Sequence, residues 1–504
     1  MGLKLEGGTF LRIWLVLAAA LIAVSVANAM ETGSLNSGHL RYRTIYAEDI
    51  LEEANSSSVE YDRVLIKGDL VLDEPQYNSI KIVNSAIEGD VSCKGITFYG
   101  NIDFSNTSFH RNAIFNGTRF MGEANFNSSR FYGASSFNMS RFPEGGTFDF
   151  VCFYDNADFA NVWFDKFATF YNATFFEDAQ FYLSEFNGAY ANFESTQYMK
   201  NADFSGSLFN TYSSFEGATF DGRADFHALK FTNGANFYDT RFLGNTLFTR
   251  SHFIEDSIFS GACFNDTAVF QYTKFDGPTY FNDTQFCGKA AFDNAQFLAP
   301  ADMSNAKFDN DLMMNSTEIT KMVLDGSVFN EKSQLYLAKA DINKLMVSWS
   351  LIKDILSYDT SAYLSLVRNY KDLGQSNDAN DCYYEYRYLN QSYKKPGFSK
   401  LLDIIAWLSC GYGVRPHYAL YCGVIVILIF SLILWLGRGV DGFQNLHGRQ
   451  LIMASLYFST IAFTANSKGL PLKGHYKYLG IVEGIVGWLL MALFLVTLGR
   501  LMIG

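Results

Sequence analysis

Enzymatic chemistry needs nucleophiles, bases or metal ligands gathered in one place, and in this sequence the candidates are dispersed. The histidines, His39, His110, His227, His252, His417, His447 and His475, show no nucleophile–base–acid or metal-ligand spacing. Cys93, Cys152, Cys263, Cys287, Cys382, Cys410 and Cys422 form no C-x-x-C pair, and an odd number cannot all pair internally. The expectation is no catalytic site, no cofactor, no metal and no disulfide framework, so an enzyme is the least expected class. Glu483 stands apart because it lies in an apolar stretch, where an ionisable side chain is a functional suspect. It also lies a few residues from the stretch's end, where it could simply be hydrated. Gly487, one turn on, suits either a helix bend or a close helix contact. N-x-S/T sequons at Asn55, Asn106, Asn116, Asn127, Asn138, Asn172, Asn265, Asn282, Asn315 and Asn390 are candidate glycosylation sites, none beyond Asn390. A chain rich in Asn, Ser and Thr also generates such triplets by composition.

The elements that hold these residues follow from composition and period. Over 504 residues Phe numbers 48 and exceeds Lys and Arg together at 39, which excludes a disordered chain and a coiled coil. A net charge of -12 leaves no electrostatic footprint for nucleic acid. Phe recurs at Phe104, Phe109, Phe115, Phe120, Phe126 and Phe131 in alternating steps of five and six, to Phe186; after one extra residue the register resumes at Phe193 and runs to Phe297. Ile82, Ile87, Cys93 and Phe98 extend it backward, and Met303, Phe308, Met314 and Ile319 forward. Two residues before most of these stands a small side chain, Ala113, Ala124, Ser135 and Ala157 in one series, Thr107, Thr118, Ser129 and Ser140 in the other. Residues i-2 and i share one side of an extended chain, so small and large side chains line one interior. Steps of five and six would rotate an apolar residue by about 140° and 240° around a helix, smearing any stripe. The pattern predicts a solenoid with short extended faces.

Units such as Ala202-Asp203-Phe204, Ala224-Asp225-Phe226 and Ala235-Asn236-Phe237 resemble those of pentapeptide-repeat proteins, A-(D/N)-(L/F)-x-x. The resemblance implies a right-handed, four-faced (quadrilateral) β-helix with stacked Phe along its axis. With 22-residue coils, about 10 to 11 coils at a strand spacing of ~4.8 Å would give a rod roughly 50 Å long. The expected organisation is an export signal over 1–29, an N-terminal cap over 30–81, the β-helix over 82–344, a helical connector over 345–415 and a membrane domain over 416–504. The signal rests on Lys4 and Arg12, the apolar run Ile13 to Val26 and Ala27-Asn28-Ala29; an uncleaved anchor is the alternative. In the connector, Tyr363, Leu366, Tyr370 and Leu373 are spaced as a helix ahead of Gly374. The aromatic run from Asp381 to Tyr388 could meet headgroups or a partner, but is expected to pack on the last coil. Leu401 to Cys410 reads as a helix at a membrane interface with Trp407 at headgroup depth.

His417 to Leu436 and about Tyr478 to Met502 are long and apolar enough to span a bilayer, while Arg449 to Thr464 is too short and polar and reads as re-entrant. Ala454 to Thr464 and Gly480 to Arg500 resemble the pore helix and inner helix of two-span potassium-type channels. The resemblance places a candidate filter at Thr464, Ala465, Asn466, Ser467, Lys468 and Gly469, and implies a homo-oligomer, a tetramer if a channel. Only the first Thr of the family's T-V-G-Y-G is kept, so the architecture carries over and potassium selectivity does not. Two functions follow: a membrane-anchored repeat rod on an ion channel of non-standard selectivity, or a surface interaction and spacer protein whose spans only anchor it. The lipid bilayer is the expected partner, with a protein partner on the rod. The rod is expected outside a cell membrane, which puts the loop 438–477 inside, as Arg438, Arg449, Lys468, Lys473 and Lys477 favour. Inverted insertion would leave the rod in the cytoplasm and the loop outside.

Overall fold

A large side chain every five or six residues is buried only if the chain turns after each one, and turning is what the backbone does. The computed structural model describes residues 42–442, 446–464 and 471–503. Strands of mostly two residues are joined by corners into a parallel β-solenoid, each strand pairing with its counterpart one coil away, as Phe109 does with Phe131 and Ala113 with Ser135. One coil contains Ser108–Phe109, Ala113–Ile114, Arg119–Phe120 and Ala124–Asn125, one strand per face. Half of the corners are closed by a residue in the left-handed region two positions after a Phe, for example Asn106, Ser128, Asn172 and Gly217. Asn and Gly suit that conformation, which most side chains resist.

One face carries a 14-stranded ladder, so the rod has about fourteen coils and is about 60 Å long at the usual strand spacing. The expected ten to eleven coils were too few. Arg43–Tyr46 already pairs with Val64–Lys67, and Leu345–Met346 still pairs with Glu318–Val323, so the ladder runs past both ends of 82–344. Helix α1 (Ala47–Ala54) seals the first end, with Ile50 fully buried in the common core. At the other end α2 (Trp349–Ile352) and α3 (Thr360–Asp372) cover the axis with Trp349, Ile352, Tyr363 and Leu366. The extra residue after Phe186 is absorbed at a corner, where Ala189 N–H donates to Lys166 O at 2.5 Å. Gly188 is required there, since a Cβ would meet that same oxygen at 1.7 Å.

The rings fill the axis as stacks along the rod and edges across it. Phe137 stacks on Phe159 with centroids 4.8 Å apart and meets Phe148 edge-on at 5.3 Å, the two geometries the aromatic quadrupole favours. Burying each ring contributes roughly 1.5–3 kcal/mol. The small residues of the second series do more than leave room. Thr107, Thr118, Ser129 and Ser140 are fully buried, and their hydroxyls donate to the carbonyls of Ile82, Cys93, Phe104 and Phe115 at 2.7, 2.5, 2.6 and 2.5 Å. Where it carries Ser or Thr, the series stitches a coil to the one before it.

Beyond the rod the chain is helical: α4 (Ser376–Tyr393), α5 (Phe398–Cys410), α6 (Pro416–Gly437), α7 (Arg449–Phe463) and α8 (Tyr476–Ile503). By length and composition, α6 and the Tyr476–Arg500 part of α8 are able to cross a membrane. The export signal over 1–29 and the filter positions Ala465 to Gly469 lie outside the described residues.

Candidate functional site

The three C-terminal helices pack on one another, and the short one is held by main-chain contacts. α7 has 15 residues, about 22 Å at 1.5 Å per residue, short of a ~30 Å hydrocarbon layer. Its C-terminal residue Phe463 is seated against α6 and α8 at two glycines. A Cβ on Gly487 would lie 2.0 Å from Phe463 O, and one on Gly423 would lie 3.1 Å from the Phe463 ring. Close packing is therefore the role the structure gives Gly487, in line with small residues at helix contacts. One turn earlier on α7, Ser459 Oγ donates to Ile427 O on α6 at 2.9 Å and bonds the Glu483 carboxylate on α8. Glu483 is 1% exposed, so it is a buried tie among three helices rather than a hydrated end residue.

Thr464 ends α7 and donates its hydroxyl to Ile461 O at 2.9 Å. The loop ends are knitted together: Asp441 N–H donates to Pro471 O at 2.7 Å, Lys473 N–H donates to Gly439 O at 2.9 Å, and Tyr476 packs over Gly437 and Gly439. The other end of the module meets the neck. The Arg500 guanidinium, near the end of α8, stands 5.7 Å from the Tyr383 ring of α4. Both span-length helices thus have one end at the rod, and α7 starts at the opposite end, where Leu451 packs with Leu434, Val440 and Leu472, and runs back to Gly423 and Gly487 inside the bundle.

The aromatic run of α4 works in two directions, where packing on the last coil was expected. Tyr386 lies 6.2 Å from Tyr363 and packs against the rod core. Tyr384, on the other side, accepts from Trp407 Nε1 at 2.9 Å and lies 5.1 Å from the Arg415 guanidinium. The Trp407 indole N–H is therefore turned to the neck, with its ring half-buried. Gly411-Tyr412-Gly413 completes this junction: Tyr412 is buried, left-handed at φ 59, bonded to Gln391 and 5.1 Å from the Arg387 guanidinium. Two acids lock the joint, Asp403 to Arg387 at 2.9 Å and Lys394 at 2.5 Å, and Asp381 to Arg415 at 2.7 Å. These pairings join residues 9 to 34 apart across helices, a separation that a sequence reading of local spacing does not reach.

The sequons divide by structure. The hydroxyls of Thr118, Ser129, Ser140, Thr284 and Thr317 donate to carbonyls of the preceding coil, so the triplets at Asn116, Asn127, Asn138, Asn282 and Asn315 follow from rod architecture. Asn55, Asn106, Asn172 and Asn265 are exposed, and Asn390 is half-buried. Among the described residues no three His, Cys, Asp or Glu side chains converge as a metal set.

The periodic Phe core, the four strands per coil and the left-handed corners agree with a comparison to known families. A family model for pentapeptide repeats matches residues 83–130, 115–163, 230–274 and 264–307. The rod is built of pentapeptide repeats. All of these stretches lie within the solenoid. No curated protein and no solved structure matches the chain.

Proposed function

We propose that this chain is a membrane-anchored pentapeptide-repeat rod whose helical module is one subunit of a homo-oligomeric pore, an ion channel of non-standard selectivity. The observation that carries the reading is α7, a helix too short to span, seated between two span-length helices through Gly487 and Ser459. That arrangement is what a pore helix between an outer and an inner helix requires. A single module cannot enclose a pore, so four copies around an axis would supply the walls. The rod stands at the end of the spans away from the start of α7; with an exported rod, that start faces the cytoplasm. In this reading the rod offers a protein partner its surface, exposed sequons such as Asn106 carry glycans, and no enzymatic reaction takes place.

A second reading, a surface spacer whose spans only anchor it, is favoured by the sequence Thr464-Ala465-Asn466-Ser467-Lys468-Gly469. It lacks the two closely spaced glycines of a potassium filter and brings a cation to the position. Single-channel recording from the full-length protein in planar bilayers separates the two, with a chain ending at Lys395 as control. Conductance in the former and none in the latter supports the pore; silence despite confirmed oligomeric insertion leaves the anchored spacer.

A further inference from the structure

Helix α5 is amphipathic in the reverse sense for a water-facing helix. Its one carboxylate, Asp403, is buried toward the neck on Arg387 and Lys394, and Cys410 is buried with it. Its outer stripe is apolar: Phe398 is 75% exposed, and Leu401, Leu402, Ile405 and Leu408 each about half. At 100° per residue these five positions fall within one face about 120° wide, the width of an interfacial stripe. Such a contiguous apolar face demands a cover.

Three observations choose the cover. α5 is joined to the first span-length helix by only Gly411 to Arg415 and packs against it, so its outer face continues into one built for lipid. The approach to the helix is cationic in an acidic chain, with Lys395 exposed beside Pro396 and Lys400 half-buried. The salt bridges to Asp403 also fix the roll of α5 on α4, so the stripe cannot turn inward.

We propose that α5 is a membrane-interface helix, lying along the bilayer surface with Phe398, Leu402 and Ile405 in the acyl boundary and Lys395 at anionic headgroups. Because α4 clamps α5 on one side and packs on the rod on the other, this helix sets the height and tilt of the rod over the membrane. The proposal rests on the two spans being in a bilayer and is independent of whether the pore conducts.

The test places a photoreactive phenylalanine at Leu402 or Ile405 in the full-length protein, reconstituted in vesicles of phosphatidylcholine with and without phosphatidylglycerol. The same probe at Ile425 of α6 and Val482 of α8 reports whether the spans are inserted, and at Tyr272 on the rod it gives the background. Lipid adducts at 402 and 405, as at 425 and 482, are the expected result, with none at 272. A greater adduct yield with phosphatidylglycerol, lost in Lys395→Glu, is expected for the headgroup contact, and an unchanged yield would remove that part. Protein dimers at 402 or 405 would replace lipid by a second copy, and no adduct there while 425 and 482 react would put the face in water; either overturns the proposal. Absence of lipid adducts at 425 and 482 would instead overturn the membrane reading itself.

Discussion

In the rod, the repeat phenylalanines point to the axis and the exposed surface is largely polar, interrupted by side chains such as Tyr99, Phe150 and Tyr272; in the helical module, Leu428, Ile429, Ile485 and Leu489 point outward while Ser455, Ser459 and Glu483 point in. Both regions follow one tendency, that buried polar groups take partners, with exceptions in the rod such as Ser135 Oγ and the Tyr198 hydroxyl. The rod meets it by repetition, giving most coils the same hydroxyl-to-carbonyl bond, as at Thr107, Ser129, Ser184, Thr240 and Thr284. The module meets it within a helix at Ser455 and Thr497, and between helices at Ser459, where three helices share one hydroxyl and one carboxylate. Redundancy should therefore make the rod tolerant of losing a polar contact and intolerant of losing a ring, whereas the module should depend on single close contacts.

The largest expected effect is Phe204→Ala. Its ring stacks on Phe181 and Phe226 at 4.7 and 5.2 Å and meets Phe193 and Phe215 edge-on, both at 5.4 Å. A cavity in so stiff a stack costs about 3–5 kcal/mol. Hydrogen exchange resolved by segment should quicken in the coils between 181 and 226 and stay unchanged in α6 to α8; equal quickening in both would break the division. Next is Gly487→Ala, whose Cβ meets a main-chain oxygen at 2.0 Å and must push α7 away, at about 1–3 kcal/mol for an overpacked site. Exchange should rise in α7 alone, and an unaltered α7 would show that Gly487 does not seat it. Smaller still is Ser129→Ala. It removes one bond to Phe104 O, which Thr107 N–H still serves at 3.2 Å, so the loss should be about 1 kcal/mol. Ala173, Ala218 and Ala262 are buried residues of the same series and already do without the hydroxyl. A change as large as that of Phe204→Ala would show the bonds to be cooperative along the ladder.

The rod was legible because its core residue is nearly always Phe and its period survives one insertion. Its true length was not, because at the ends Ile45, Ile66, Leu335 and Ile342 take the place of Phe and the signal merges with ordinary apolar sequence. The second small series was read only as space, since smallness is visible in the residue type and the carbonyl of the preceding coil is not. The helices and both span-length stretches could be placed from hydropathy. What faces what could not: Trp407 turns toward Tyr384, and Glu483 finds Ser459 across 24 residues, because both follow from how separate helices roll on one another. At Asn116 and Asn127 a modification triplet coincides with a corner residue followed by a core hydroxyl, so the same letters serve two readings.

The junction between the two regions gives the subtlest test, one read through pH. The Lys394 ammonium beside Asp403 holds that carboxyl below its ordinary range, Arg387 adds to the effect, and burial opposes both. A carboxylate whose pKa is depressed on folding contributes stability that is fully present above its unfolded value of about 3.9 and is lost as pH falls through the depressed value. The clamp between α4 and α5 should hold from neutral pH to about 4 and loosen below it. Asp359, at the N-cap of α3, is depressed as well, by the Ser361 hydroxyl and the N–H groups of Ala362 and Ser361, so the neck has two acid-sensitive ties. Trp407 emission, in a variant whose other tryptophans are Phe, reads only the first, because its indole N–H is bonded to Tyr384 on α4. Asp403→Asn should flatten the acid limb of that signal and Asp359→Asn should leave it in place. The reverse would move the acid-sensitive element from the joint between α4 and α5 to the end of the rod, and with it the part of the chain that sets how rigidly one region carries the other.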